Sequence, residues 1–343
     1  MAGGKGMAGL RDAEMWRAAD GGRVECYLCA HRCVIADGKR GVCDTRLNQG
    51  GRLKALTWGQ VVAANVDPIE KKPLYHFLPG SKSYSIATHG CNFKCEFCQN
   101  WQISQVSGDV SAGRDTPPEA VVNEAFRSGC RSVSYTYTEP TMFFEYAMAC
   151  GRLAHERGLR NCFVTNGYQT PETVAAMTGV VDAANVDIKA FNDDFYRKLC
   201  KARLQPALDS VKAMVAAGVW VEVTTLLIPR HNDREDELKA LAEWLAAVSP
   251  DLPWHVSRYH PDYQFDRAPA TPPETVFRAA EIGRAAGLRY VYAGNLRAGE
   301  WECTRCPSCQ QVVIRRDGFW VEEMKLKGAC CAKCGAKVAG VME

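Results

Sequence analysis

No stretch of this sequence approaches eighteen consecutive apolar residues, so it offers no helix long enough to cross a bilayer. The opening residues, MAGGKGMAGLRDAEMW, lack the apolar core of a secretion signal and carry Arg11, Asp12 and Glu14 instead. Both absences point to a cytoplasmic protein. A surplus of one charge is missing too. The net charge is only +3, which gives no reason to expect nucleic acid or an acidic membrane surface as the partner. The first strand-like run does not lead into GxGxxG, so a dinucleotide-binding fold has no support. The 343 residues, 47% hydrophobic and 24% charged, suffice for one large domain with attachments, or for two domains.

Cysteine is what the chain has in excess. Of 17 cysteines, all but Cys130, Cys150, Cys162 and Cys200 fall into three spaced groups. Those four sit in apolar or mixed segments and read as core or surface thiols. In a cytoplasmic protein, the grouped ones indicate metal or redox chemistry rather than disulfides.

From about residue 83 the sequence alternates short β-rich runs with amphipathic helical windows, the pattern of βα units on a parallel sheet. Strands are expected at 83–88, 132–137, 160–166, 183–189, 219–227, 254–259 and 289–294. Helices are expected at 117–128, 141–157, 171–178, 193–217, 235–247 and 273–286. Thr116-Pro117-Pro118-Glu119 and Thr271-Pro272-Pro273-Glu274 read as helix starts, and Gly129, Gly158, Gly218 and Gly287 as left-handed stops. Polar residues gather where strands should end: Cys91 to Cys98, Thr138-Glu139, Asn166-Gly167, Asp187 with Lys189, Thr224-Thr225 and His260. In a barrel, that is the functional rim.

Composition divides the chain into a variable N-terminus (1–25), a cysteine-rich metal-binding segment (26–80), the βα region (81–298) and a C-terminal module (299–343). The last holds two CxxC knuckles, Cys306/Cys309 and Cys331/Cys334, flanking a predicted β-hairpin, with Cys303 and Cys330 beside them. This is a zinc-ribbon signature, and so small a unit needs a metal to fold. An iron–sulfur cluster is the alternative there.

The central motif is CNFKCEFCQNW, with Cys91, Cys95 and Cys98. Three thiolates can hold three irons of a [4Fe–4S] cluster and leave the fourth open. A ferredoxin run would need a fourth cysteine. Zinc completed by His89 would place a ligand two residues before Cys91 and strain the loop. CxxxCxxC after the first strand of a βα repeat resembles the motif of the radical S-adenosylmethionine (SAM) enzymes. YTYTEPTMFFEY, VTNGYQTPE, DAANVDIKAF, WVEVTTLLIP and WHVSRYHPDY look like segments of the branch that includes pyruvate formate-lyase activating enzyme. With CYLCAHRC, RGVC, DPIEKKPLYHF and the ribbon, residues 26 to 343 resemble the radical SAM proteins of the AmmeMemoRadiSam system.

That resemblance implies a partial (β/α)6 barrel of the TIM type over 81–298 and reductive cleavage of SAM at the cluster. The products would be methionine and a 5′-deoxyadenosyl radical, which takes hydrogen from a substrate. Cys91, Cys95 and Cys98 match the cluster ligands and Phe97 the aromatic beside adenine. Glu139 matches the glutamate on the methionine ammonium, although the two glycines that precede it in the family are replaced here. Asn166, Asp187 and Lys189 match positions near ribose and carboxylate, and His260 a histidine on the sixth strand loop. Plainer readings stand beside these: Glu139 as a helix-cap partner, Asp187 and Lys189 as a surface ion pair, His260 as a turn residue before Pro261. Implied partners are a ferredoxin- or flavodoxin-type electron donor and proteins of the Memo and AMMECR types.

Cys26, Cys29, Cys33 and Cys43 suit a structural zinc or an auxiliary iron–sulfur cluster, since thiolates serve both. Relatives with auxiliary clusters carry those cysteines after the radical motif, whereas this group precedes it. His31 reads as a loop residue. Three other functions compete: glycyl-radical activation on a protein glycine, nucleic-acid modification, and a non-catalytic electron-transfer or scaffold protein. The second draws on the ribbon's Arg305, Arg315, Arg316, Lys325, Lys327, Lys333 and Lys337.

Overall fold

The computed structural model describes residues 9–106 and 108–343. Its centre is an eight-stranded sheet: β1 (Ala63–Pro68), β2 (Lys82–Ala87), β3 (Ser132–Tyr135), β4 (Arg160–Thr165), β5 (Ala183–Asp187), β6 (Trp220–Leu227), β7 (Trp254–Arg258) and β8 (Val291–Gly294). The strands lie side by side in chain order. β1 runs antiparallel to β2, and every later neighbour is parallel. Helices α1 (Pro118–Arg127), α2 (Phe144–Glu156), α3 (Pro171–Met177), α4 (Leu204–Ala216), α5 (Glu235–Val248) and α6 (Pro273–Ala285) make the six crossovers. The sheet is open, with β1 and β8 as its edges.

The seven parallel strands and the helix stops agree with the sequence reading. Pro118 and Pro273 occupy the first turns of α1 and α6. Gly129 and Gly218, just past α1 and α4, take φ of 69° and 80°, which only glycine adopts without strain.

The window 193–217 departs from its expectation of one helix. It is a short turn of helix at Asp193–Phe195, a π turn at Tyr196–Cys200, a left-handed Lys201, and then α4. Pro206 tolerates only the first turn of a helix, so α4 has to start close to it. The Asn192 side chain caps Phe195 N–H at 2.7 Å, and Asp193 accepts from Leu204 N–H at 2.9 Å.

The N-terminal residues also form more structure than their sequence showed. Trp16–Ala19, Arg23–Cys26 and Val34–Ile35 make one small sheet. Arg11–Asp12, Arg46–Gln49 and Arg52–Ala55 make another. The strand at 11–12, inside the stretch expected to be a variable N-terminus, thus pairs with the cysteine-rich segment at Lys54 and Ala55, and the strand at 16–19 reaches it where Trp16 faces Cys26.

Side-chain alternation gives the central sheet two different faces. Ala184, Val186, Val221 and Val223 join the main core with the helices. On the other face, residues 69–78 run across Asn185 and Glu222. Asn185 donates to the Pro73 carbonyl at 2.8 Å, while the buried Glu222 carboxylate accepts from Tyr75 N–H and His76 N–H at 3.0 and 2.7 Å. The C-terminal module closes over this segment. Its hairpin, Val312–Asp317 with Trp320–Met324, sends the fully buried Arg316 to the Tyr75 carbonyl at 2.7 Å.

Candidate active site

The loop that carries Cys91, Cys95 and Cys98 leaves β2 at its C-terminal end and is held by backbone bonds to the π turn. Lys94 N–H donates to the Cys200 carbonyl at 3.0 Å and Glu96 N–H to the Leu199 carbonyl at 3.1 Å. The irregular turn therefore serves the site, by presenting carbonyls that a continuous helix would have spent internally. Phe93 N–H lies 3.4 Å from Cys91 Sγ, and Ser104 Oγ lies 3.1 Å from Cys98 Sγ. Burial raises the Cys91 and Cys98 thiols, and contact with the Cys200 side chain followed by burial raises Cys95. Free thiolates are disfavoured in such surroundings. Soft metal binding is the chemistry that stabilises a thiolate there, and a three-thiol set suits an iron–sulfur cluster.

Asn166, at the end of β4, reaches this loop. Its side-chain amide donates to Asn92 Oδ1 at 2.7 Å and lies 3.8 Å from Cys91 Sγ. Glu139 positions it: Oε2 accepts from Asn166 N–H at 2.8 Å, while Oε1 accepts from Thr141 N–H, Thr141 Oγ1 and Thr165 Oγ1 at 3.1, 2.5 and 2.8 Å. Glu139 is thus a cap for the turn after it and a clamp between the ends of β3 and β4. Oε2 retains acceptor capacity for one more donor. Burial raises the Glu139 pKa against these hydrogen bonds.

Lys189 and Asp187 pair at 2.5 Å at the end of β5. Burial opposes the lysine charge, but the Asp187 carboxylate beside it outweighs this and pushes the Lys189 pKa above its ordinary value. Cys91, Asn92, Asn166 and Glu139 therefore form one hydrogen-bonded set, and the Lys189–Asp187 pair lies near Cys95. Phe97 stands apart, buried against Phe195 and Phe265 with ring centroids 5.6 and 6.3 Å away. His260 is exposed and accepts from the Gln99 side-chain amide at 3.0 Å. The His89 ring nitrogens face the carbonyls of Ile103 and Ala112 at 3.2 and 3.1 Å.

Asn92 and Thr165 were not singled out in the sequence. Asn92 sits inside the motif, and its burial within so polar a loop becomes visible only once β4 is placed beside it. Cys200, read as a core or surface thiol, is buried and also lies against Cys95.

In the C-terminal module, Cys306, Cys309, Cys331 and Cys334 bring all four sulfurs within 4.8 Å of one another. Cys306 is 3.5 Å from Cys334, and Cys309 is 3.8 Å from Cys331. Tetrahedral Zn–S bonds of about 2.3 Å place sulfurs about 3.8 Å apart, so this set fits a single zinc ion. The module's basic residues are largely engaged. Arg316 is buried against Glu70, Arg305 and Arg315 pair with Glu300, and Lys325 pairs with Glu323. The basic excess behind a nucleic-acid reading is thereby reduced.

Comparison with known proteins agrees with this geometry. The pattern of the radical SAM superfamily matches residues 85–245. An uncharacterized protein of Methanocaldococcus jannaschii is 41% identical over 332 residues, 96% of this chain and 99% of that one. The pyruvate formate-lyase-activating enzyme of Streptococcus mutans is 22% identical over 191 residues, 53% of this chain and 72% of that one. A radical SAM methyltransferase from Sphaerobacter thermophilus shares the fold, with a TM-score of 0.50 at 18% identity over 64% of this chain and 68% of that one. Among the described residues no helix is long and apolar enough to cross a membrane. The chain belongs to the radical SAM superfamily of enzymes, has homology to the pyruvate formate-lyase activating enzymes, and forms one family with the Methanocaldococcus protein.

Proposed function

We propose that the protein holds a [4Fe–4S] cluster through Cys91, Cys95 and Cys98 and binds SAM beside it, along the C-terminal edge of β2 to β5. The observation that carries this reading is the hydrogen-bonded path from the cysteine loop through Asn92 and Asn166 to Glu139. A reduced cluster held there would supply the electron that breaks the sulfonium C5′–S bond of SAM, leaving methionine and a 5′-deoxyadenosyl radical to take hydrogen from the substrate. The chain's own residues orient and shield. Glu139 directs its spare acceptor at the methionine ammonium. Asn166 and the Asp187–Lys189 pair serve the ribose and the carboxylate, and Phe97, between Phe195 and Phe265, the adenine. His260 lies at the rim, beside Gln99. The C-terminal module carries zinc. The proposed setting is cytoplasmic, with a ferredoxin or flavodoxin as electron donor and Memo-type and AMMECR-type proteins as further partners.

Anaerobically reconstituted protein given SAM and dithionite should release 5′-deoxyadenosine. Release no greater than that of a Cys91→Ala control, with cluster loading confirmed, contradicts the reading.

A second reading, activation of a glycyl-radical enzyme, draws on the similarity to the activating enzyme of Streptococcus mutans. That similarity spans about half of this chain, and an activating enzyme's substrate choice depends on loops and attachments as well as the radical domain. Transfer of deuterium from a labelled glycyl peptide into 5′-deoxyadenosine would favour this second reading over a different substrate.

A further inference from the structure

Four more thiols converge at a second place. Cys26, Cys29, Cys33 and Cys43 line one cavity, whose wall also includes Arg46 and Asn92. Tight turns assemble it: Cys26 N–H donates to the Cys33 carbonyl at 2.9 Å, Arg32 N–H to the Cys29 carbonyl at 3.0 Å, and Asp44 N–H to the Gly41 carbonyl at 2.9 Å. Cys26 thus comes from the end of the strand Arg23–Cys26, and the other three side chains from two short loops that follow it.

The arrangement differs from the C-terminal zinc-type set in spacing. Among the described residues, only Cys306, Cys309, Cys331 and Cys334 place three or more such ligand atoms mutually within 4.8 Å. No three of the N-terminal sulfurs do so. A single zinc ion gathers its sulfurs to about 3.8 Å, whereas an iron–sulfide cube spreads its thiolates over separate corners. The same chain therefore contains one compact and one splayed four-thiol set.

Arg46 supplies an independent observation. It is 1% exposed, and its guanidinium donates from Nη1 to Glu145 Oε1 at 2.6 Å and from Nη2 to the Met142 carbonyl at 3.4 Å. Its Nε has no partner. A buried charged donor left unsatisfied is costly, so one at the wall of a thiol-lined cavity points to an acceptor inside. The sulfurs of a cluster are such acceptors, and N–H bonds to them raise its reduction potential.

The cavity also adjoins the three-cysteine loop. Asn92 forms part of its wall, His31 Nε2 lies 2.9 Å from the Asn92 carbonyl, and the Asn92 side chain faces Asn166 on the other side. Gly90, one residue before Cys91, leaves no room for a side chain there: a Cβ would meet Thr45 Cγ2 at 2.4 Å and the Cys43 carbonyl at 3.3 Å.

We propose that Cys26, Cys29, Cys33 and Cys43 hold an auxiliary iron–sulfur cluster rather than zinc, with Arg46 Nε as a hydrogen-bond donor to it. The site stands whether or not the protein cleaves SAM. Its test is therefore made in the full-length Cys91→Ala/Cys95→Ala/Cys98→Ala protein, purified anaerobically and measured for iron, sulfide and zinc and by Mössbauer spectroscopy. The expected result is iron and sulfide in equal numbers, about four of each per chain, with about one zinc. Two zinc ions and no iron, or no iron with any zinc content, overturn the proposal. Adding Cys29→Ser and Cys43→Ser should remove that iron and leave the zinc. Retained iron would overturn the assignment of ligands. Arg46→Lys keeps the charge opposite Glu145 and removes the Nε donor. It should leave the iron count unchanged and shift the midpoint potential to a more negative value. An unshifted potential overturns the role of Arg46.

Discussion

The Asn166 side-chain amide donates to Asn92 Oδ1 at 2.7 Å, tying the end of β4 to the middle of the cysteine loop. Asn92 is 2% exposed, so loss of this donor leaves its carbonyl oxygen unsatisfied in the interior. Asn166→Ala should lower the rate of 5′-deoxyadenosine formation about 100-fold, the scale expected when reacting groups lose alignment by about an ångström. Iron content should stay near that of the parent protein. Anaerobic turnover assays normalised to cluster content check this.

Cys200 lies against Cys95 and belongs to the π turn that supports the loop, so in the proposed assignment it is a neighbour of the cluster rather than a ligand. Cys200→Ala should keep its full complement of iron, while Cys95→Ala should lose about four irons per chain. Iron and sulfide counts on the two variants, purified side by side, decide between these roles.

Much of this arrangement is legible in the sequence, and the parts that are not have physical reasons. The parallel strands are apolar and β-branched, and their helices stop at glycines such as Gly129 and Gly218, so pattern alone places them. The break at Lys201 escaped because residues 193–217 keep a helical apolar rhythm. Pro206 was the available sign that α4 starts late. β1 reads AANVDP, too polar and too close to a proline to announce an edge strand. For Glu139, Asp187 and Lys189 the plainer readings, a turn cap and an ion pair, are contacts that the structure contains. The joining of Glu139 to Asn166 could not be read in advance, because it requires the register of β3 against β4.

Stability should depend on pH through His76. Burial holds its pKa at about 4, below the ordinary value, with Glu222 opposing that shift and Arg316 and His255 reinforcing it. The neutral ring suits its contacts: Nδ1 donates to the Ala339 carbonyl at 2.6 Å and Nε2 accepts from Tyr292 Oη at 2.5 Å. Between about pH 6.5 and this folded value of about 4, the unfolded chain takes up a proton that the folded chain refuses. Stability should therefore fall on acidification through that window, by about 1.4 kcal/mol per pH unit from this group. Denaturant unfolding at pH 7 and pH 5 checks it, and His76→Gln should flatten the dependence.

The C-terminal module packs Val313, Ile314 and Val338 against Tyr75, Tyr290 and Tyr292 around its four thiols. A chelator strong enough to strip zinc should release about one ion per chain and lower the melting temperature, since so small a unit depends on its metal. Cys306→Ser should match the stripped protein in both respects. Colorimetric zinc release and calorimetry on the same samples measure these effects.

The central claim is that the three-cysteine cluster keeps an iron open to SAM. Electron paramagnetic resonance of the dithionite-reduced protein, recorded before and after adding SAM, tests it most directly. The signal component that Cys91→Ala removes should change its g-values when SAM is added. An unchanged spectrum at saturating SAM, with that cluster shown to be loaded and reduced, would contradict the account.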